Sequence, residues 1–279
     1  MIALYIALGV LAFAFALYIF LIFPSGRVKK TAEFFGGCKA YAHRGLHGAD
    51  VPENSLTAFD LACKAGYGIE LDVHITADGK LVVFHDDTLL RMCGVDEKTE
   101  SKTLAELRAL KLAGSEEHIP SFREVLDLVD GRAPLVVEIK GSKVGDNRVC
   151  ELTAEMLDGY NGKYCIESFN PFYVSWWKKN RKNVVRGQLS SKMTKESSGM
   201  GDAANFALTN MLLSVLARPD FLAYDVKEKN QPSFRIARAL GGYPVAWTIR
   251  SKEDEKAAKG VFKAIIFENI TPSETYKTE

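Results

Sequence analysis

From residue 39 onward, short apolar runs alternate with segments whose apolar positions recur at helical spacing. Short runs bounded by turn residues read as buried strands, and the longer period reads as helices with one apolar face. The pattern predicts strands near 39–43, 68–75, 80–85, 134–140, 164–168, 184–189, 220–225, 243–248 and 262–267. Helices are predicted near 55–65, 103–111, 121–129, 146–158, 171–179, 202–217, 232–240 and 252–259. Local signals fix several boundaries. Thr103 with Glu106, and Ser121 with Glu124, have the spacing of a capping box. Asn170-Pro171 sets a cap before a proline at the first helical position. Alternation of this kind argues an α/β protein with a mainly parallel sheet.

One strand must be set apart. Between 68–75 and 80–85 lies only a short link containing Asp78-Gly79, a strong tight-turn pair. A parallel crossover needs roughly a dozen residues or more, so these strands form an antiparallel hairpin. Eight parallel strands remain, which suits a TIM-type (β/α)8 barrel with a hairpin after its second strand and an insertion at about 86–118. A doubly wound open sheet satisfies the same count.

The first residues follow different rules. Ile2 to Phe23 carries no charge, and as a helix it would span about 30 Å, the thickness of a bilayer core. It is longer than the apolar part of a signal peptide and has no basic stretch before it, so an anchor is preferred to a cleaved leader. Arg27, Lys29, Lys30 and Lys39 follow. The positive-inside rule then gives a single pass, an outside N-terminus and a cytoplasmic domain. The expected organisation is a transmembrane anchor over 1–24, a juxtamembrane neck over 25–38 and a barrel domain over 39–279. With 36 Lys+Arg against 35 Asp+Glu, net +1, the composition argues against bulk nucleic-acid binding. The five cysteines have no metal-finger spacing, which fits a reducing compartment. Oligomeric state has no signature here.

Candidate chemistry gathers at strand ends. In the hairpin, Glu70, Asp72 and His74 share one face. Pairing Ala77 with Lys80 across the turn would carry His85 opposite Asp72. Paired carboxylates suit a hard cation such as Mg²⁺ or Ca²⁺, although a solvated strand face would carry the same pattern. His43 and Arg44 end the first strand, offering a proton carrier and a phosphate or carboxylate grip. Glu138 and Lys140 share a face at the end of Pro134–Gly141, as a third ligand with a cation or as a plain ion pair. The Walker loop, HExxH and GxSxG motifs are absent.

Across nearly all of residues 40–250 the chain resembles the glycerophosphodiester phosphodiesterase family. The motifs, in order, are Ala42-His43-Arg44-Gly45, Pro52-Glu53-Asn54-Ser55, Glu70-Leu71-Asp72-Val73, Val83-Phe84-His85-Asp86, Glu138-Ile139-Lys140, Ser168-Phe169-Asn170 and Trp247-Thr248. The resemblance implies a TIM-type barrel that cleaves glycerophosphodiesters to glycerol phosphate and an alcohol. It implies His43 and His85 as the acid/base pair, and Glu70, Asp72 and Glu138 as ligands of one divalent cation, Mg²⁺ or Ca²⁺. Arg44 and Lys140 would contact phosphoryl oxygens, Glu53 and Asn54 would line the mouth, and Phe169 and Trp247 would shape the substrate wall, with Gln188 a weaker addition. Two alternatives use the same residues: lysophospholipase D-type cleavage, favoured if the anchor holds the mouth near the bilayer, and a non-catalytic phospholipid or phosphosugar binding module. The family's acidic closing segment is replaced by Lys263-Ala264 and Phe267-Glu268, expected at the rim and to bear on head-group choice.

Overall fold

The computed structural model describes residues 1–141, 145–195 and 199–276. The chain opens with α1 (Ile2–Ile22) and α2 (Val28–Gly36). Then follow β1 (Ala40–Ala42), α3 (Leu56–Lys64), β2 (Gly68–Ile75), β3 (Leu81–Val83), α4 (Leu90–Cys93), α5 (Leu104–Arg108), α6 (Phe122–Val129) and β4 (Leu135–Ile139). The second half comprises α7 (Arg148–Asp158), β5 (Tyr164–Ser168), α8 (Pro171–Asn180), β6 (Val185–Ser190), α9 (Asp202–Thr209), α10 (Ser214–Ala217) and β7 (Phe221–Asp225). It ends with α11 (Pro232–Ala239), β8 (Tyr243–Ile249), α12 (Lys252–Ala258) and β9 (Ala264–Phe267). All strands but β3 are parallel neighbours, and pairing of β1 with both β9 and β2 closes an eight-stranded barrel. Closure excludes the open sheet. Both expected capping boxes form, at Thr103 and at Ser121.

Parallel neighbours in register point the same way, so the ladder sorts the interior into layers. Glu70, Val136, Cys165 and Val185 make one row; Asp72, Glu138, Glu167, Gly187, Phe221 and Tyr243 make the next. Towards the strand starts the interior is apolar. Towards the ends of β2, β4 and β5 it is acidic. Gly187 lacks a side chain for a packing reason: a Cβ there would lie 2.2 Å from the Phe221 ring.

Residues 28–36, expected as polar neck, form the barrel floor. Phe35 of α2 is fully buried, stacked on Tyr243 at 5.0 Å and edge-on to Tyr41 and Phe221. A helix this short is held by such packing rather than by its own propensity. The helix expected over 202–217 is broken into α9 and α10 at Met211, whose φ is +57 and whose side chain is buried.

The hairpin register differs from the expected one by a residue. Val73 pairs with Val83, His74 with Val82 and Ile75 with Leu81. Asp72 therefore lies opposite Phe84, whose N–H donates to the Asp72 carbonyl at 3.0 Å, and not opposite His85. The cause is the turn. Thr76 and Lys80 close a loop of Ala77, Asp78 and Gly79 through a backbone bond and the Thr76 hydroxyl, both 2.8 Å, with Gly79 at φ +69. A three-residue loop with glycine in the left-handed region replaces the two-residue turn.

Candidate active site

The loop after β1 turns through two left-handed residues, Arg44 (φ +55) and Gly45 (φ +81). This turn leaves the Arg44 N–H donating to Glu70 Oε2 at 3.0 Å and sets His43 Nε2 3.9 Å from the same oxygen. Asn54, also left-handed, donates its N–H to the Arg44 carbonyl (2.8 Å) and its Nδ2 to Asp72 Oδ2 (2.9 Å). β2, β4 and the loop after β1 thus meet at one point. Glu70, Asp72 and Glu138 are buried, and one oxygen from each lies within 4.8 Å of the others.

Lys140 reaches back to Asp72 Oδ1 (3.2 Å) and Glu138 Oε1 (3.0 Å), while the Arg44 guanidinium lies 3.7 Å from Asp72. Burial pushes the Asp72 carboxyl up, but Lys140, His85 and Arg44 together hold it well below the usual range. Glu70 goes the other way: burial, then the charges of Asp72 and Glu138, push it well up. Glu138 is raised by burial and by Asp72 against the pull of Lys140. Beside them sits Glu167, which the sequence reading passed over; burial and Glu138 raise it, and its Oε2 is buried without a hydrogen-bond partner. Four buried carboxyl groups against two half-buried cations form a donor set able to hold a divalent cation. Glu70, Asp72 and Glu138 would hold the ion.

The two histidines flank this cluster, and each has a carboxylate at its back. His43 Nδ1 is bonded to Glu268 Oε2, whose other oxygen accepts from Arg250 Nε at 2.5 Å. Burial holds His43 down at about 4, against the upward pull of Glu268. Burial raises the Glu268 carboxyl, but the bond to His43 and the imidazole of His47, 3.7 Å away, outweigh it and hold the group well below its ordinary range. Of the closing segment expected at the rim, Lys263 and Ala264 lie instead at the opposite end, where β9 starts, and Glu268 at its far end is more than a rim residue. His85, just beyond β3, comes close enough for its charge to stabilise Asp72 and Glu138 despite the slipped register. Its Nδ1 contacts Asp86 Oδ1 at 2.6 Å, and Arg91 ties Asp86 (2.6 Å) to Glu53 (2.6 Å), which in turn holds Arg44 (2.7 Å).

Phe169 and Trp247 meet edge-on with ring centroids 5.5 Å apart. Gln188 Nε2 is committed to the carbonyls of Ser168, Phe169 and Leu189, so it supports the Phe169 loop. A signal for the missed residues did exist: Glu167 and Glu268 are lone acids at the ends of apolar strands, as Glu138 is.

A closed parallel barrel with histidines, cations and carboxylates converging at its C-terminal strand ends is an enzyme of the (β/α)8 class. The model of the glycerophosphoryl diester phosphodiesterase family matches residues 43–271, and the chain belongs to that family. A glycerophosphodiester phosphodiesterase of Caldanaerobacter subterraneus is 36% identical over 160 residues, 53% of this chain and 65% of the relative. One of Bacillus subtilis is 29% identical over 237 residues, covering 76% of this chain and 77% of the relative. Matches to the first four relatives span 44% to 65% of their lengths. The barrel superposes on a phosphodiesterase of Oleispira antarctica in complex with sn-glycerol-3-phosphate (TM-score 0.66, 24% identity, 86% of this chain and 93% of that one). A glycerophosphodiester phosphodiesterase of Parabacteroides distasonis shares the fold likewise (TM-score 0.68, 23% identity, 86% and 95%).

Proposed function

We propose that this chain hydrolyses glycerophosphodiesters to glycerol phosphate and an alcohol with a divalent cation, Mg²⁺ or Ca²⁺, held by Glu70, Asp72 and Glu138. The observation that carries this reading is the pair of carboxylate-backed histidines on either side of the buried acidic cluster. Glu268 takes the Nδ1 proton of His43 as a hydrogen bond and leaves Nε2 facing Glu70; Asp86 takes the Nδ1 proton of His85 in the same way. One histidine removes the proton of the attacking hydroxyl while the other protonates the departing alcohol oxygen. The attacker is the neighbouring glycerol hydroxyl, giving a cyclic phosphate that water then opens. Arg44 and Lys140 neutralise charge on the phosphoryl oxygens as it grows. A bound cation would supply further polarisation of those oxygens. Glu53 and Asn54 hold Arg44 and Asp72 in place, and Phe169 and Trp247 form the apolar wall beside the substrate.

α1, 21 residues with a mean hydropathy of 2.5, is long and apolar enough to cross a membrane. We read it as a single-pass anchor with its N-terminus outside and the barrel cytoplasmic. It meets the barrel at the strand starts, where the Ser25 N–H donates to the Pro219 carbonyl at 2.9 Å. The mouth lies at the other end, which supports water-soluble diesters over lysophospholipids held in the same bilayer. The test is release of glycerol phosphate from glycerophosphocholine by the full chain in detergent, with Mg²⁺ or Ca²⁺ and then with chelator. No product from several glycerophosphodiesters with either metal present would overturn the proposal and favour a binding module.

A further inference from the structure

The net charge of +1 conceals a segregation that only the fold creates. At the mouth, acidic groups outnumber cations. At the floor, the residues that immediately precede the strands include Lys39 before β1, Lys163 before β5 and Lys263 before β9. Lys178 and Lys182 sit at the end of α8 and just after it, and Arg218 ends α10, all at the same end of the barrel. Among the described residues none of these six is ion-paired, whereas their neighbours Arg132 and Arg181 are matched by Asp60 and Asp158. Lys178 donates to the Leu216 carbonyl at 2.9 Å and has Arg186, Arg218 and Lys179 around it as a field of like charge.

The apolar α1 leaves from this same end. Arg218 donates to the carbonyls of Phe20 and Phe23, both at 2.8 Å, and its guanidinium lies 4.8 Å from the centre of the Phe20 ring. Arg27, just after the helix, bonds Asp220 and the carbonyls of Lys182 and Val184. Ile22 is fully buried against the barrel while the residues of α1 before Tyr18 are exposed. The helix is thus fastened to the floor by its last turn.

We propose that the floor of the barrel is a second membrane contact, a cationic surface that seats on anionic phospholipid headgroups around the anchor and points the catalytic mouth into the water. The inference rests on reading α1 as membrane-spanning. Continuity with α1 and charge complementarity both select a bilayer as the occupant: the lysines surround the point where an apolar helix would enter lipid. Each Lys or Arg near an anionic leaflet strengthens association by about fivefold, and salt weakens it. Held this way, the active site is separated from the headgroups by the length of the strands, about 17 Å for five residues. The substrate must then reach the mouth from solution.

The test uses the full chain in nanodiscs of phosphatidylcholine alone or with 30% phosphatidylglycerol, with lysine accessibility read by amine labelling and mass spectrometry. Expected is protection of Lys163, Lys182 and Lys263 by several-fold on the anionic discs, reversed by 0.5 M salt, with Lys98 and Lys111 of the insertion above the mouth unchanged. Protection should fall at Lys39 and Lys178 in the K163E/K182E/K263E variant, with turnover of soluble glycerophosphocholine as in the wild type. Equal labelling on both discs, or protection centred on Lys98 and Lys111, overturns the proposal. So does protection by poly-glutamate without protection by anionic discs, which would assign the floor to an acidic protein. Failure of α1 to span is read separately, as failure of the chain to co-elute with the phosphatidylcholine discs.

Discussion

Replacing Glu268 by glutamine tests whether a carboxylate sets the working state of His43. The side chain is 12% exposed and bonded to His43 Nδ1, so solvent screens the pair little. A hydrogen bond to a charged group is worth about 1.5–3 kcal/mol against about 0.5–1.5 for a neutral pair. Glutamine keeps the shape and loses about 1–1.5 kcal/mol of that support. At about 1.4 kcal/mol per factor of ten, kcat should fall roughly tenfold, with KM little changed because both Glu268 oxygens are committed to His43 and Arg250. The pH profile gives the sharper readout. Burial already holds His43 near 4 and Glu268 opposes that fall. Removing the negative charge lowers the histidine further, so whichever limb of kcat/KM His43 governs moves to lower pH. The assay is steady-state glycerol phosphate release across pH for wild type, E268Q and the neighbouring control H47A. Wild-type kcat with an unmoved limb in E268Q would refute the reasoning.

Other consequences follow from the same geometry. His85→Ala should lower kcat by about 10² to 10⁴, the usual worth of a positioned proton transfer, with glycerol phosphate release as the readout and near wild-type turnover as the failure. Burial and mutual repulsion raise Glu70 and Glu138, so their protons compete with metal. The rise in melting temperature on adding Mg²⁺ or Ca²⁺ should therefore keep growing as pH rises beyond the ordinary carboxylate range, and vanish in Glu70→Ala. In the metal-free chain these raised carboxyls favour the folded state below the unfolded value and lose that contribution as pH rises through the folded one. Phe35→Ala should destabilise the barrel by about 3–5 kcal/mol, because a fully buried ring is removed from between Tyr41, Phe221 and Tyr243; denaturant melting of full-length protein checks it.

Much of the fold was legible because its determinants are local. Buried parallel strands need short apolar runs, and most staves follow from them, while β2 shows in the alternation of Ile69, Leu71 and Val73 with Glu70, Asp72 and His74. Capping at Thr103 and Ser121 is encoded within four residues. The Asp78-Gly79 pair identified a hairpin, yet its register depended on how Thr76 closes the loop with its hydroxyl, a choice the dipeptide does not make. α2 escaped notice because its apolar signal is little more than Phe34 and Phe35, and its helix exists for the ring pocket that the barrel interior provides.

The acidic cluster divides in the same way. The sequence determined that Glu70 and Asp72 share one face of β2 and that Glu138 stands near the end of β4, since side-chain alternation along a strand is a property of the backbone. Glu268 and His43 are 225 positions apart, and no local pattern connects them. Their pairing needed β9 beside β1, which is the closure of the barrel itself. Closure likewise brought Lys39, Lys163, Lys182 and Lys263 to one end and α1 to the same end. Sequence chose the residue types because strands and turns are short-range objects; the tertiary structure chose their neighbours because charge and hydrogen bonding act through space.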